Sequence, residues 1–328
     1  MSEKAAYGLL IVIVALASTA AGYYLITQPE TPVETETITW VMGHGYHYGV
    51  AVVMKHLNLM EKYSDGKLTL EIVILKGPAV SEALISGAGH FGQRSAPAIL
   101  KDIDNEAPFK MLLSVGKKDH ELWTNNPDIK SIEDITKDHI ISLVAPNSIE
   151  EMGFKMAFAK LGRTLDDVQV SHLKHTDAYQ AMITGQIDLD YSAAPFQARY
   201  AKEPDKYTCL GTDTDFYGMA LPASMIYLNE DYADENPEVL ATVISAWLEA
   251  ITWINEHEEE ATIVIAKFYG DPLDEAYQDF KESDIVFNPY LGLSALKPLS
   301  EKLYEAGLLT KAYEMDEVLL TVARSMGD

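Results

Sequence analysis

The chain has 328 residues, with Lys+Arg 25 against Asp+Glu 50 and a formal net charge of −25. That length is more than twice the ~100–150 residues of a common single domain, so it accommodates two domains or one large α/β unit. The acidic surface repels phosphate backbones and disfavours nucleic acid as a partner, a hydrophobic share of 48% excludes a wholly disordered chain, and one cysteine, Cys209, excludes an intrachain disulfide or a Cys-based zinc cage.

Residues Tyr7 to Ile26 form an uninterrupted apolar and small-residue run without charge, long enough as a helix to span a ~30 Å hydrocarbon core. Lys4 precedes it while Glu30, Glu34 and Glu36 follow, which places the N-terminus in the cytoplasm and everything after Thr27 outside. The run Ala17-Ser18-Thr19-Ala20-Ala21-Gly22 offers a cleavage site, but the apolar segment continues through Tyr23-Tyr24-Leu25-Ile26. Residues 1–27 therefore read as an uncleaved anchor, with a cleaved signal segment as the alternative. Residues 28–37, rich in Thr, Pro and Glu, read as an extended spacer.

From Ile38 on, short β-rich runs alternate with helix-period stretches, the pattern of α/β units around mixed, mainly parallel sheets with helices on both faces. The expected elements begin with strand Ile38–Met42, helix Gly49–Tyr63, strand Leu68–Leu75, helix Val80–Ser86, strand His90–Gln93, helix Pro97–Ile103 and strand Phe109–Val115. Strand Ile140–Val144, helix Ile149–Leu161, strand Val168–Leu173, helix Ala178–Thr184, strand Leu189–Tyr191, helix Pro195–Ala201 and strand Ala220–Leu228 follow. After Asn229 the strands are expected to stop. Val239, Val243, Trp247, Ile251 and Ile254 at helical spacing open a tail at Pro237–His257, continued by helices Glu258–Phe268, Leu273–Glu282, Ser294–Ala306 and Glu314–Ala323. An internal echo links the two halves. Glu82-Ala83-Leu84-Ile85-Ser86-Gly87 and Gln180-Ala181-Met182-Ile183-Thr184-Gly185 each read as a helix closed by glycine and turned into a strand. Short of coincidence between two common turns, this predicts two lobes of one topology whose strand ends face a shared cleft.

The candidate chemistry sits at predicted strand ends. In Gly43-His44-Gly45-Tyr46-His47-Tyr48-Gly49 the spacing fails the dinucleotide fingerprint. His44, Tyr46 and His47 suit stacking and hydrogen bonding to a small polar molecule, with ligand-free aromatic packing as the alternative. Arg94, between Gln93 and Ser95, offers a guanidinium for a carboxylate, sulfonate or phosphate, or for an intramolecular pair with a neighbouring acid. Asn147 and Ser148 open a helix and present N–H groups to an anion, or cap the helix through a Ser148 bond to Glu151. Ser192, Pro195, Phe196 and Tyr217 line a far wall or pack ordinarily. His172 and His175 stand three apart, a spacing that points to opposite faces in an extended strand, and no HExxH or Cys/His array occurs, so no metal site is expected, and no cofactor. Neither G-x-S-x-G nor a P-loop occurs, so no catalytic residue is assigned.

Gly77-Pro78, Ser86-Gly87 before Phe91-Gly92, Ile129-Lys130-Ser131-Ile132-Glu133-Asp134-Ile135, Pro146-Asn147-Ser148, Leu161-Gly162, Gly185-Gln186-Ile187-Asp188 and Trp253-Ile254-Asn255-Glu256-His257 occur in an informative order. Over Ile38 to Gly270 the chain resembles the solute-binding proteins of ABC importers for nitrate, sulfonates, taurine and related small molecules. The resemblance implies a type II periplasmic-binding-protein-like fold, with lobe one at residues 38–121 plus 225–328, lobe two at 122–224, and hinge closure over a ligand between them. It further implies a monomer, anchored outside the membrane, that delivers a small anionic or polar aromatic solute to an ABC permease and its ATPase. His90, Gln93-Arg94-Ser95, Ser192-Ala193-Ala194-Pro195 and the loop His44-Gly45-Tyr46-His47-Tyr48 depart from the family's usual residues, and all but His90 fall where the family touches its ligand, so its ligand does not carry over. Two other classes stay open: an enzyme of heteroaromatic, pyrimidine-type precursor metabolism on the same fold, although the cysteine-rich motif of such enzymes is absent, and an extracellular sensor domain.

Overall fold

The computed structural model describes residues 35–117, 119–222, 224–281 and 285–326. The expected membrane segment and most of the spacer lie outside the described residues. From Glu36 on the chain forms one compact unit that contains both main sheets.

The strands, in chain order, are β1 (Glu36–Met42), β2 (Leu68–Ile74), β3 (Phe91–Arg94), β4 (Phe109–Ser114), β5 (Gly116–Lys117), β6 (Glu121–Thr124), β7 (Ile140–Ser142), β8 (Gln169–Ser171), β9 (Leu189–Ser192), β10 (Thr208–Thr212), β11 (Met225–Asn229) and β12 (Val286–Phe287). The first sheet runs β2-β1-β3-β11-β4, with β1 parallel to β2 and β3 and with β11 antiparallel to both its neighbours. The second runs β10-β6-β9-β7-β8, with β7 parallel to β8 and β9 and with β6 antiparallel to β9 and β10. The chain passes to the second sheet after β4 and returns before β11, so two crossings join the sheets.

The expected α/β alternation is present, with four corrections. Strands do not stop after Asn229, because β12 pairs antiparallel with β5. The expected helix Gly49–Tyr63 breaks into Gly49–His56 and Leu59–Tyr63, since Asn58 turns left-handed at φ 51°. The last expected helix divides into Met315–Val318 and Thr321–Met326, because Leu319 leaves the helix to bridge Met111 of β4. The strand expected to reach Leu173 ends at Ser171, and the next helix starts early, at His175. That early start places His175, expected to lie between strand and helix, on the first turn of the helix.

The helical tail is bound to the first sheet by its apolar stripe. Helix Pro237–Glu256 is long and apolar enough to cross a membrane, yet Val243, Trp247, Ile251 and Ile254 are buried in the core of the first sheet. The indole of Trp40 in β1 stacks at 5.5 Å on both Phe91 and Trp247, and Trp247 Nε1 donates to the Ser114 carbonyl at 3.2 Å. Aromatic stacking plus a satisfied indole N–H fixes the helix against one sheet face and leaves the strand ends clear.

Candidate ligand-binding site

Two sets of three parallel strands, β1–β3 in the first sheet and β7–β9 in the second, end at one cavity of about 670 Å³, and the loops after each of them contribute to its wall. Open α/β sheets place ligands outside the carboxyl ends of their strands, where loops and helix starts converge. The volume lies inside the ~300–1,000 Å³ range of small-molecule sites.

The loop after β1 closes as a short 3-10 turn over Tyr46–Tyr48, which rotates successive side chains to different sides. Tyr46 turns into the core, 2% exposed and edge-on to Phe280 at 5.7 Å, so it does not line the cavity as expected. His47 and Tyr48 face the cavity instead, with ring centroids 4.1 Å apart. His44 stands at the wall against Tyr269, ring centroids 4.2 Å apart. Burial holds its imidazole below its ordinary value, in opposition to Asp271 at 4.0 Å, and this favours the neutral ring.

Arg94 and Ser95 line the cavity, but the guanidinium already has an acid partner. Nη1 donates to Asp102 and to Ser81 Oγ, the intramolecular pairing that the sequence left open. Gln93 lies beneath the wall. Its Nε2 donates to the His47 carbonyl at 3.0 Å and to Ser224 Oγ at 2.9 Å, which positions the ring-bearing loop.

On the opposite side, Ser148 lines the cavity and caps helix Ile149–Lys160 by accepting from the Glu151 N–H at 3.2 Å. Asn147, at φ 57°, lies outside the wall and donates its N–H to Glu151 Oε1. Pro195 and Phe196 line the cavity; Ser192 is fully buried in β9 outside the wall. Tyr217 is also buried away from the wall, and its hydroxyl donates to the Ile149 carbonyl at 2.7 Å, steadying the start of that helix. Tyr46, Gln93, Asn147, Ser192 and Tyr217 thus support the site from behind.

The cavity wall also holds His120, Glu150 and His175, which the sequence left unassigned as site residues. Glu150, buried at the first turn of its helix, has Oε1 3.5 Å from His120 Nε2 and 3.6 Å from His175 Nε2. His120 is held in turn by Asp213, which accepts from its Nδ1 at 2.7 Å and its backbone N–H at 3.0 Å, while Tyr191 donates to the other carboxylate oxygen at 2.6 Å. Four of the nine histidines, His44, His47, His120 and His175, line this one cavity. His172 lies outside the wall and meets Glu151 Oε2 at 2.9 Å. Only His175 carried a sequence cue, its pairing with His172, and an extended geometry for that pair aimed it away from any partner. Lys76 and Lys174 stand exposed where the wall meets solvent.

Beneath the cavity, Asp190 of β9 is 1% exposed and accepts from Tyr200 at 2.9 Å. Burial pushes its carboxyl up to about 7, against the lowering effect of the Tyr200 bond. A carboxyl raised in the folded state contributes stability at low pH and loses it as pH climbs from its unfolded value, about 4, through 7. Asp190→Asn is therefore expected to gain on the order of 2 kcal/mol over the parent at pH 8 and far less at pH 4, measured by urea unfolding at both pH values. An equal effect at the two would contradict the assignment.

Two α/β lobes meeting at a cavity between strand ends define the architecture of a periplasmic binding protein. The chain belongs to the family described as NMT1/THI5 like, which matches residues 63–261. It is 27% identical over 197 residues to a protein of Brucella abortus (strain 2308) named as a binding protein, a match that spans 60% of this chain and 60% of that relative. The periplasmic aliphatic sulphonate binding protein SsuA from Escherichia coli superposes with a TM-score of 0.67 at 18% identity, covering 87% of this chain and 92% of that one. The periplasmic nitrate-binding protein NrtA from Synechocystis PCC 6803 superposes with a TM-score of 0.72 at 12% identity, covering 90% of this chain and 88% of that one. Identities this low establish a shared fold.

Proposed function

We propose that this protein is the extracytoplasmic solute-binding component of an ABC importer, and that it captures a small polar aromatic solute without covalent chemistry. The observation that carries this reading is the cavity of about 670 Å³ at the carboxyl ends of both sheets, walled by His47, Tyr48 and Phe196 around the buried acceptor Glu150. The names of its relatives support a binding role. SsuA and NrtA take sulfonate and nitrate by their names, but here the Arg94 charge is engaged by Asp102 and the buried Glu150 carboxylate lines the cavity. Both features oppose a simple oxyanion and favour a ring that stacks on aromatic walls and donates to Glu150. In this reading residues 38–121 with 225–328 close by hinge motion on residues 122–224. The protein works as a monomer, tethered outside the membrane by Tyr7–Ile26, and partners with a permease and its ATPase.

Melting curves against a panel of amino-substituted nitrogen heterocycles, nitrate and alkanesulfonates test the assignment. Heterocycles are expected to raise the melting temperature and the oxyanions to leave it unchanged; the opposite pattern overturns the aromatic reading. Phe196→Ala is expected to weaken heterocycle binding about tenfold, worth roughly 1.4 kcal/mol, as titration calorimetry would read directly.

A further inference from the structure

We propose that His120 Nε2, Glu150 Oε1 and His175 Nε2 bind one zinc-like divalent cation whose remaining coordination position opens into the cavity. The inference rests on reading this cavity as the solute site. The three atoms all lie within 4.8 Å of one another, with Glu150 Oε1 at 3.5 and 3.6 Å from the two nitrogens. A tetrahedral centre with bonds of ~2.0–2.1 Å sets its ligand atoms about 3.3 Å apart, so the two spacings to Glu150 need only slight contraction, while the two imidazole nitrogens, within 4.8 Å of each other, close on the ion as it binds. The same spacing is long for direct hydrogen bonds between the groups.

The surroundings of His120 make the independent argument. The Asp213 carboxylate can only accept, so Nδ1 carries a ring proton and Nε2 is the nitrogen left facing the cluster. A carboxylate on the far nitrogen is the usual support of a metal-bound imidazole, fixing tautomer and orientation. Asp213 is itself fixed by Tyr191, so this support is rigid before any ion arrives. The ligands come from three separate places: the segment before β6, the start of helix Ile149–Lys160 and the start of helix His175–Ile183. The site therefore exists only in the folded chain. Two imidazoles and one carboxylate suit zinc and its late first-row neighbours over calcium or magnesium, which prefer all-oxygen shells. The three-ligand set leaves room for a water or a donor atom of the solute, such as a ring nitrogen. The His47 ring, with its centroid 6.1 Å from that of His120, borders the open side.

The full chain, purified in detergent and stripped with EDTA, would be titrated with Co²⁺. The expected result is one Co²⁺ per chain with the intense visible bands of a tetrahedral N/O site, displaced by Zn²⁺. His175→Ala and Glu150→Gln are expected to weaken binding by more than about a hundredfold with the circular dichroism spectrum retained. Asp213→Asn, which keeps all three ligands, is expected to weaken it roughly 10–100-fold. No tetrahedral spectrum in the parent, or a spectrum unchanged in His175→Ala and Glu150→Gln, overturns the proposal. The heterocycle panel, repeated in EDTA and in Zn²⁺, separates this site from the solute reading. A solute response in EDTA without Co²⁺ binding would sink the metal site alone, and a Co²⁺ spectrum without any solute response would support the metal site and sink the solute reading.

Discussion

Asp213→Ala is expected to destabilise the folded protein by about 4 kcal/mol, lowering the melting temperature by roughly 10 °C. Asp213 is completely buried and accepts three hydrogen bonds, from the His120 ring, the His120 backbone and the Tyr191 hydroxyl. Alanine leaves three buried donors without an acceptor, each carrying a desolvation penalty of ~1–3 kcal/mol. Some of that penalty is relieved, since the His120 ring can change tautomer or admit water, which keeps the sum below the arithmetic maximum. Tyr191→Phe, which removes one donor along with its bond, should cost only about 1 kcal/mol. Urea unfolding of the three proteins decides the matter, and a loss below about 1 kcal/mol for Asp213→Ala would show that these bonds do not act as a unit.

Gly116→Ala is expected to be at least as damaging, for a steric reason. Gly116 lies at the first crossing between the sheets with φ 149°, where a Cβ would fall 1.6 Å from the Val286 carbonyl oxygen and 2.9 Å from the Asn288 nitrogen. Both obstacles are backbone, so no side chain can swing aside. Relief requires β12 to leave β5, and with it go the bonds from the Asn288 N–H to the Val115 carbonyl and from the Ser114 N–H to the Pro289 carbonyl. We expect a loss of more than about 3 kcal/mol and faster proteolysis of the segment around residue 286. Gly162→Ala is the control. Its φ of 69° lies in the left-handed region that an L-residue enters at a cost of ~1–2 kcal/mol, and a Cβ there meets nothing within 4 Å, so its cost should stay near 1 kcal/mol. Comparable losses in both variants would mean that backbone strain, and not the clash with β12, sets the effect.

Much of the fold was legible because it depends on local pattern. Helical spacing located Pro237–Glu256 and its buried stripe, and the Ser148 to Glu151 cap was read directly from residues three apart. Strands β6 and β10 were not legible. They are four and five residues long, carry Glu, Thr and Gly among their apolar positions, and are strands because β9 and β6 supply their hydrogen bonds. The wall of the cavity was partly readable by the same logic. His44, His47, Arg94, Ser95, Ser148, Pro195 and Phe196 all follow or end predicted strands, where ligands gather. Tyr46 and Tyr48 exchanged places because a 3-10 turn, invisible in composition, chose which ring faces inward. Arg94 was recognised as a guanidinium for an anionic ligand or an internal acid, but its pairing with Asp102 needed a helix packed beside β3.

By itself, the sequence determined the acidic surface, the absence of disulfides, the alternation of strands and helices and the strand ends at which ligand groups cluster. These follow from composition and from periodicities that span a few residues. Only the tertiary structure decided that His120, Glu150 and His175 meet, that Asp213 orients the first of them, and that Arg94 has its charge partner within the wall. Those contacts join residues far apart in the chain, and their energies arise from burial and geometry that no local pattern encodes.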